Sequence, residues 1–333
     1  MEPEQIAAYL RAQMPDARDV AVSDLARIPG GASRETWMFD ARWSRGGVAE
    51  EHALILRRDP PASLLESNIG LEFALYTALA GSGIPVPRVL WLERDGAALE
   101  RPFYVMERLP GATDARTLAT SPEWADVRPL VARQKADILA RIHAFDIARL
   151  PSLEQPASRE ACAPHEVARW ERTMREDSLE PQPVLEMALS WLKRHEPPAP
   201  ERLALVHADY RTGNFLYDRS GITGILDWEM AHAGDPIEDI GWVCVKSWRW
   251  AGDDRVGGLC GRDEFIATYE AAGGVKVDRD ALKFWEVLGN VKLAVIFITA
   301  TKAVVLGQSP DLLLAVTSFI NPGIEAEIME LIA

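Results

Sequence analysis

Residues His207, Asp209, Asn214 and Asp227 are the part of this sequence most able to do chemistry. An apolar run, residues 203–206, delivers His207 and Asp209 into a polar loop that Asn214 closes. A second apolar run, residues 222–226, delivers Asp227, so two acids and an amide converge at strand ends. Carboxylate and amide oxygens are the hard donors that Mg2+ prefers, and that ion usually keeps several waters. One carboxylate, one amide oxygen and the phosphates of a nucleotide therefore make a sufficient site. The competing reading is a polar loop that caps two strands through local side-chain hydrogen bonds.

The order His-x-Asp, four residues, then Asn is that of a kinase catalytic loop, and the sequence from about Gly30 to Trp242 resembles the aminoglycoside phosphotransferase and choline kinase-like family. The resemblance is most specific between His207 and Asp227. It implies a protein-kinase-like α+β fold with a small antiparallel-sheet lobe and a larger helical lobe. It also implies ATP and Mg2+ as cofactors and transfer of the γ-phosphate to a hydroxyl of a small molecule. By the same resemblance Asp209 is the base that takes the hydroxyl proton, and Asn214 and Asp227 hold the metal, with Glu229 a weaker third candidate. His207 is expected to orient the loop rather than carry protons. Where protein kinases usually have Arg between His and Asp, this chain has Ala208, so a basic link to a phosphorylated activation loop is missing. Residues 234–241 resemble the next segment of the family, with Asp235 expected to cap a helix ahead of Pro236.

On the nucleotide side, the resemblance places the loop 30–36 over the phosphates with the Ser33 hydroxyl as a donor, although the full glycine spacing is absent. Arg57 stands where the phosphate-pairing basic residue is expected, with Arg58 as alternative, and Ile55 lies on the same strand face to pack against adenine. Arginine in place of lysine keeps charge but offers a planar fork. Glu72, or its rival Glu66, would orient that arginine, and the backbone near Glu107 and Leu109 would meet the adenine edge.

At 333 residues the chain is long enough for two lobes, and 48% hydrophobic with 26% charged residues is ordinary for a soluble protein. The lobes are expected at residues 1–108, binding nucleotide, and 109–333, with the catalytic loop and acceptor site; 109–111, Leu-Pro-Gly, marks the break. A net charge of -14 without a basic stripe argues against nucleic acid partners. Cys162, Cys244 and Cys260 lack metal-site spacing and read as reduced thiols, and the start lacks a signal-like pattern, so a cytoplasmic protein is expected. Residues 287–306 are apolar but interrupted by Asn290, Lys292 and Lys302, which argues for a buried helix rather than a membrane span.

Strands are expected at 20–28, 37–43, 53–58, 89–92 and 102–107. Helices are expected at 4–14, 64–80, 126–146, 165–176, 184–195, 236–248, 263–272, 279–306, 312–320 and 324–331. The sequence leaves the acceptor open. Trp242, Trp248, Trp250 and Trp285 could form an aromatic surface for an apolar or quaternary ammonium compound, or could be core. The partner is thus a small hydroxylated molecule of unspecified type. Two other classes stay open: a kinase-like nucleotide-binding regulator without turnover, and a metal hydrolase using the two aspartates.

Overall fold

Alternation along one strand decides how the first part of the chain is built. In β3 (Val48–Arg58), Leu54 and Leu56 turn to one face and Ile55 and Arg57 to the other. Leu54 and Leu56 join Phe39, Trp43, Phe103 and Val105 and are covered by Ile6, Leu10 and Met14 of and beside helix α1 (Pro3–Gln13). Emptying one such site by Leu→Ala typically costs about 2–5 kcal/mol, so this face is well fixed. The computed structural model describes residues 1–28, 34–60, 68–309 and 311–333. It divides the chain into two units, Met1–Pro110 and Gly111–Ala333.

The first unit is an antiparallel sheet in the order β1-β2-β3-β5-β4. The other strands are β1 (Arg18–Ile28), β2 (Glu35–Arg45), β4 (Val89–Glu93) and β5 (Phe103–Glu107). The sequence reading made residues 44–51 a polar turn. In the structure the strands run on until Arg45 pairs with Val48, because Gly46 and Gly47 both take positive φ, +56° and +83°, as a two-residue hairpin turn demands. Helix α2 (Ile69–Leu79) starts later than periodicity suggested, where the Asn68 side chain accepts from the N–H groups of Gly70 and Leu71.

The second unit holds helices α3 (Ala115–Thr120), α4 (Arg128–His143), α5 (Cys162–Asp177) and α6 (Pro183–Leu192), then α7 (Ile237–Cys244), α8 (Arg262–Ala271), α9 (Arg279–Val305), α10 (Leu312–Val316) and α11 (Asn321–Ile332). Two short antiparallel pairs lie among them: β6 (Ala204–Val206) with β9 (His232–Gly234), and β7 (Phe215–Asp218) with β8 (Gly221–Ile225). Helix α9 is the axis, packing against α5, α6, α7 and α11. Its backbone meets α7 at Gly241, where a Cβ would lie 2.6 Å from the Trp285 carbonyl carbon, so only glycine fits.

Several boundaries differ from expectation. Helix α3 was not anticipated; it is six residues long and leaves too little periodicity to detect. The expected helix 236–248 ends at Cys244, where Val245 turns to ψ 129°, and a separate 3-10 turn spans Lys246–Trp248. Pro322, read as a break, sits in the first turn of α11, a position where its missing N–H loses nothing. Among the described residues two helical runs are long and apolar enough to cross a membrane: Arg279–Val305, in which 67% of the most apolar window is buried inside the protein, and Leu312–Ile332, with 22%. Burial makes the first a core helix.

Candidate active site

Strand β6 ends at Val206, and the chain then turns through Ala208 at φ +65°. A non-glycine residue holds that conformation only when its surroundings fix it. Here the carboxylate of Asp239, on α7, accepts the N–H of His207 and of Ala208, both at 2.8 Å. Asp239 also accepts from His143 Nε2 at 3.1 Å, and the other ring nitrogen of His143 meets the Tyr269 hydroxyl at 2.7 Å. Burial pushes the Asp239 carboxyl up, but the hydrogen bonds from the His143 ring and the His207 N–H, with the His143 imidazole alongside, outweigh it and hold the group below its ordinary value.

His207 is fully buried and has two partners. Its Nε2 donates to the Leu226 carbonyl at 3.0 Å and its Nδ1 accepts the Asp209 N–H at 3.2 Å. Those roles require the neutral Nε2–H tautomer, and burial lowers the imidazole pKa in the same sense. Asp209 then projects a carboxylate that is only partly covered, 17% exposed. Its Oδ1 accepts from Trp242 Nε1 at 2.9 Å, its Oδ2 from Asn214 Nδ2 at 2.6 Å, and Arg211 Nε stands 3.3 Å away.

Asn214 Nδ2 also donates to the Asp209 carbonyl at 2.9 Å. With its nitrogen committed to Asp209, the amide keeps its oxygen as an acceptor at the other corner of the same planar group. Asp227 follows β8 at φ +68°, a conformation that aspartate tolerates better than most residues. The Leu226 N–H donates to the Asn214 carbonyl at 2.9 Å, and this bond sets the two segments side by side. The donor set, one amide oxygen and one carboxylate, fits Mg2+ rather than zinc. Glu229 lies beyond the buried Trp228, half-buried.

In the first unit, Glu72 on α2 is fully enclosed by donors. Its Oε1 lies 3.2 Å from Arg57 Nη1 and accepts from the Tyr104 hydroxyl at 2.8 Å, while Oε2 lies 2.8 Å from Arg34 Nε. Arg34 pairs with Asp59 as well. Burial would lower the guanidinium's pKa, and Glu72 with Asp59 overrides that and raises it. Arg58, the alternative to Arg57, points elsewhere: its Nη2 pairs with Glu35 at 2.6 Å and its Nη1 donates to the Leu99 carbonyl. Ile55 pairs in register with Met106, and both are nearly buried. The Glu107 N–H is committed to the Arg88 carbonyl at 2.9 Å, which removes that donor from an adenine edge. Leu109 lies two residues beyond β5, half-buried. Ser33, with residues 30–32 of its loop, and Glu66 lie outside the described residues.

Four contributors escaped the sequence reading: Asp239, Arg34, Lys292 and the role of Trp242. Asp239 lies in the segment 234–241, for which the sequence suggested helix capping. Trp242 and Trp285 are buried, 2% and 1% exposed, so they form no open aromatic surface, whereas Trp248 and Trp250 are half-buried. Asp253 and Asp254 pair with Arg255 and Arg249.

A model of the phosphotransferase enzyme family matches residues 24–285. Among curated proteins, acyl-CoA dehydrogenase family member 10 of Mus musculus is 32% identical over 205 residues, 59% of this chain and 18% of that protein. Acyl-CoA dehydrogenase family member 11 of Mus musculus is 27% identical over 243 residues, 71% of this chain and 30% of that protein. The chain thus spans a minor part of these relatives' length. A protein of Ralstonia eutropha JMP134, solved as a candidate aminoglycoside phosphotransferase, superposes with TM-score 0.73 at 20% identity, covering 99% of this chain and 97% of that one. A choline/ethanolamine kinase family protein from Mesorhizobium loti superposes with TM-score 0.60 at 15% identity, covering 93% and 88%. At these identities the structural likeness is one of fold. With three quarters of its length inside the family match and the loop geometry above, the chain belongs to the phosphotransferase enzyme family and has its protein-kinase-like fold.

Proposed function

We propose that this phosphotransferase moves the γ-phosphoryl group of ATP to a hydroxyl of a small molecule, with Asp209 as the base. The observation that carries the reading is the Asp209 carboxylate, fixed by Trp242 Nε1 and Asn214 Nδ2 yet still 17% exposed. A base must be oriented and reachable at once. The acceptor hydroxyl would give its proton to Asp209 as its oxygen bonds to the γ-phosphorus, and ADP leaves with the electron pair of the broken P–O bond. Phosphoryl transfer asks mainly for positioning and neutralisation of charge. Asn214 and Asp227 would hold Mg2+, which when bound neutralises the nucleotide phosphates. Arg57, steadied by Glu72, would bind phosphate oxygens, and Ile55 would pack on the adenine. Ser33 and the backbone near Glu107 and Leu109, apart from the Glu107 N–H that Arg88 already holds, complete the nucleotide site in this reading.

Solved relatives of this fold carry different nucleotides. One structure of aminoglycoside phosphotransferase APH(4)-Ia contains AMP-PNP with hygromycin B, and one of aminoglycoside 2'-phosphotransferase-IIIa contains GDP. The test is therefore a thermal-shift screen with Mg-ATP, Mg-GTP and Mg2+ alone, followed by ADP or GDP release across a panel of hydroxyl compounds. The panel includes aminoglycosides, amino alcohols, sugars and, because the curated relatives carry acyl-CoA dehydrogenase in their names, hydroxyacyl compounds. With an acceptor in hand, Asp209→Asn is expected to lower kcat by about 100- to 10,000-fold with little change in nucleotide binding. Unchanged turnover in that variant would remove Asp209 as the base. Mg-ATP stabilisation with no turnover on any acceptor would instead favour a nucleotide-binding regulator.

A further inference from the structure

We infer that Trp242 and Lys292 form a positioning device for Asp209, an indole and an ammonium stacked beneath the catalytic loop. The inference rests on the reading of Asp209 as the base. Lys292 lies in the interior of α9, 3% exposed, in a segment otherwise apolar enough to resemble a membrane span. Burying an ammonium there is unfavourable unless its surroundings replace water. They do so in three ways. Its Nζ donates to the carbonyl of Ala208, the residue immediately before the base. It lies 4.6 Å from the Trp242 ring and 5.6 Å from that of Trp170, so two indole faces meet the charge. Glu238 Oε1 stands 3.9 Å away.

Two of these contacts, to the Ala208 carbonyl and to the Trp242 ring, bear on the geometry of the loop. The Ala208 peptide is pinned from both sides: its N–H by Asp239 and its carbonyl by Lys292. The Trp242 ring, lying against the ammonium on one side, aims its N–H at Asp209 Oδ1 from 2.9 Å. Backbone and carboxylate of the base are thus referenced to the same buried cation. An apolar side chain would fill the space without the desolvation penalty, and replacing a whole buried ion pair by apolar residues is often neutral or stabilising. A lysine at this place is therefore better explained by orientation than by stability. Because misplacing a reacting group by about 1 Å can slow a reaction about 100-fold, orientation of this kind has kinetic consequences.

The test has one readout that needs no acceptor. In 15N-labelled full-length protein the eleven tryptophans give separate indole N–H signals, and Trp242→Phe assigns that of Trp242. Asp209→Asn and Lys292→Met are each expected to move that signal more than any other indole signal. An indole signal indifferent to both substitutions would overturn the inference whether or not an acceptor has been found. The second readout is kinetic, on the acceptor found in the panel above. Trp242→Phe, which keeps the ring but removes the donor, is expected to lower kcat about 10- to 100-fold with KM for Mg-ATP within about twofold. Lys292→Met should lower kcat by more than its fall in melting temperature accounts for, and the double variant should be no worse than the more damaging single one, because both act through Asp209. A kcat left intact by both substitutions, or lost only in step with melting temperature, would show a merely structural role.

Discussion

Glu72 in the first unit and Asp209 in the second are both carboxylates at the centre of a cluster, and they are held by opposite means. Glu72 has two guanidiniums against it, Arg34 and Arg57, with the Tyr104 hydroxyl filling the last direction. Asp209 has an indole N–H and an amide N–H at 2.9 and 2.6 Å, with a single guanidinium at 3.3 Å, and its loop is secured by backbone N–H groups bonded to Asp239. A cluster of full charges tolerates small displacements, because Coulomb energy changes slowly with distance. Hydrogen bonds from indole, amide and peptide are directional and weaken steeply off axis. The first arrangement suits a site that must keep the Arg57 guanidinium in place for phosphates; the second suits one that must aim a single oxygen pair.

The difference predicts which cluster can be repaired. Asp239→Ala would leave two buried peptide N–H groups and His143 without their acceptor, and should destabilise the protein by about 3–5 kcal/mol. No second substitution should restore it, because no other acceptor reaches both N–H groups; urea melts of the single variant and of Asp239→Ala with His143→Phe measure this. A pair that recovered parental stability would show the loop to be held by charge rather than by direction.

In the first unit Glu72→Gln should cost less, about 1.5–3 kcal/mol, because the amide keeps size and some hydrogen bonds while two guanidiniums are left to share the single charge of Asp59. Here a second substitution should help. Arg34→Met in the Glu72→Gln background is expected to recover part of the loss by removing the surplus cation, with the coupling read from a double-mutant cycle. An additive double variant would contradict the view that charge balance governs this cluster.

How far these clusters could be read from sequence follows from how local they are. His207, Asp209, Asn214 and Asp227 lie within 21 residues on two adjoining strand ends, so type and spacing display them together. Asp239 reaches back across 32 residues to His207, and Lys292 across 84 to Ala208, so nothing in their own neighbourhoods announces the contact. Lys292 was visible as an interruption of an apolar stretch, and that was its only signal. The sheet of the first unit was legible in strand number and order of appearance, but the hairpin at Gly46 and Gly47 was concealed by the charged residues Glu50 and Glu51. They lie on the exposed half of β3, where a strand needs no apolar alternation.

The two units should also part company with pH, since the ion pairs around Glu72 rest on arginines that do not titrate, whereas the second unit buries a histidine in an ionic cluster. His232 Nε2 lies 3.1 Å from Glu238 and 3.8 Å from Glu166, with the Met230 carbonyl 3.1 Å from Nδ1. Burial alone would lower its pKa, but the two glutamates outweigh burial and lift it to about 9. A folded-state pKa above the unfolded value of about 6.5 means that the native state binds the extra proton. Its stabilisation is therefore complete below pH 6.5 and fades as pH rises through about 9. Lys135, whose burial pulls it down to about 8, works in the opposite direction but only at higher pH, so the clean window lies between 6.5 and 8. Across it the parent protein should lose at most about 2 kcal/mol relative to His232→Gln, which lacks the titrating group. Urea midpoints of the two proteins at several pH values give that difference directly. Parallel pH curves would mean that His232 is neutral in the native state and that the second unit, like the first, keeps its buried charges indifferent to protons.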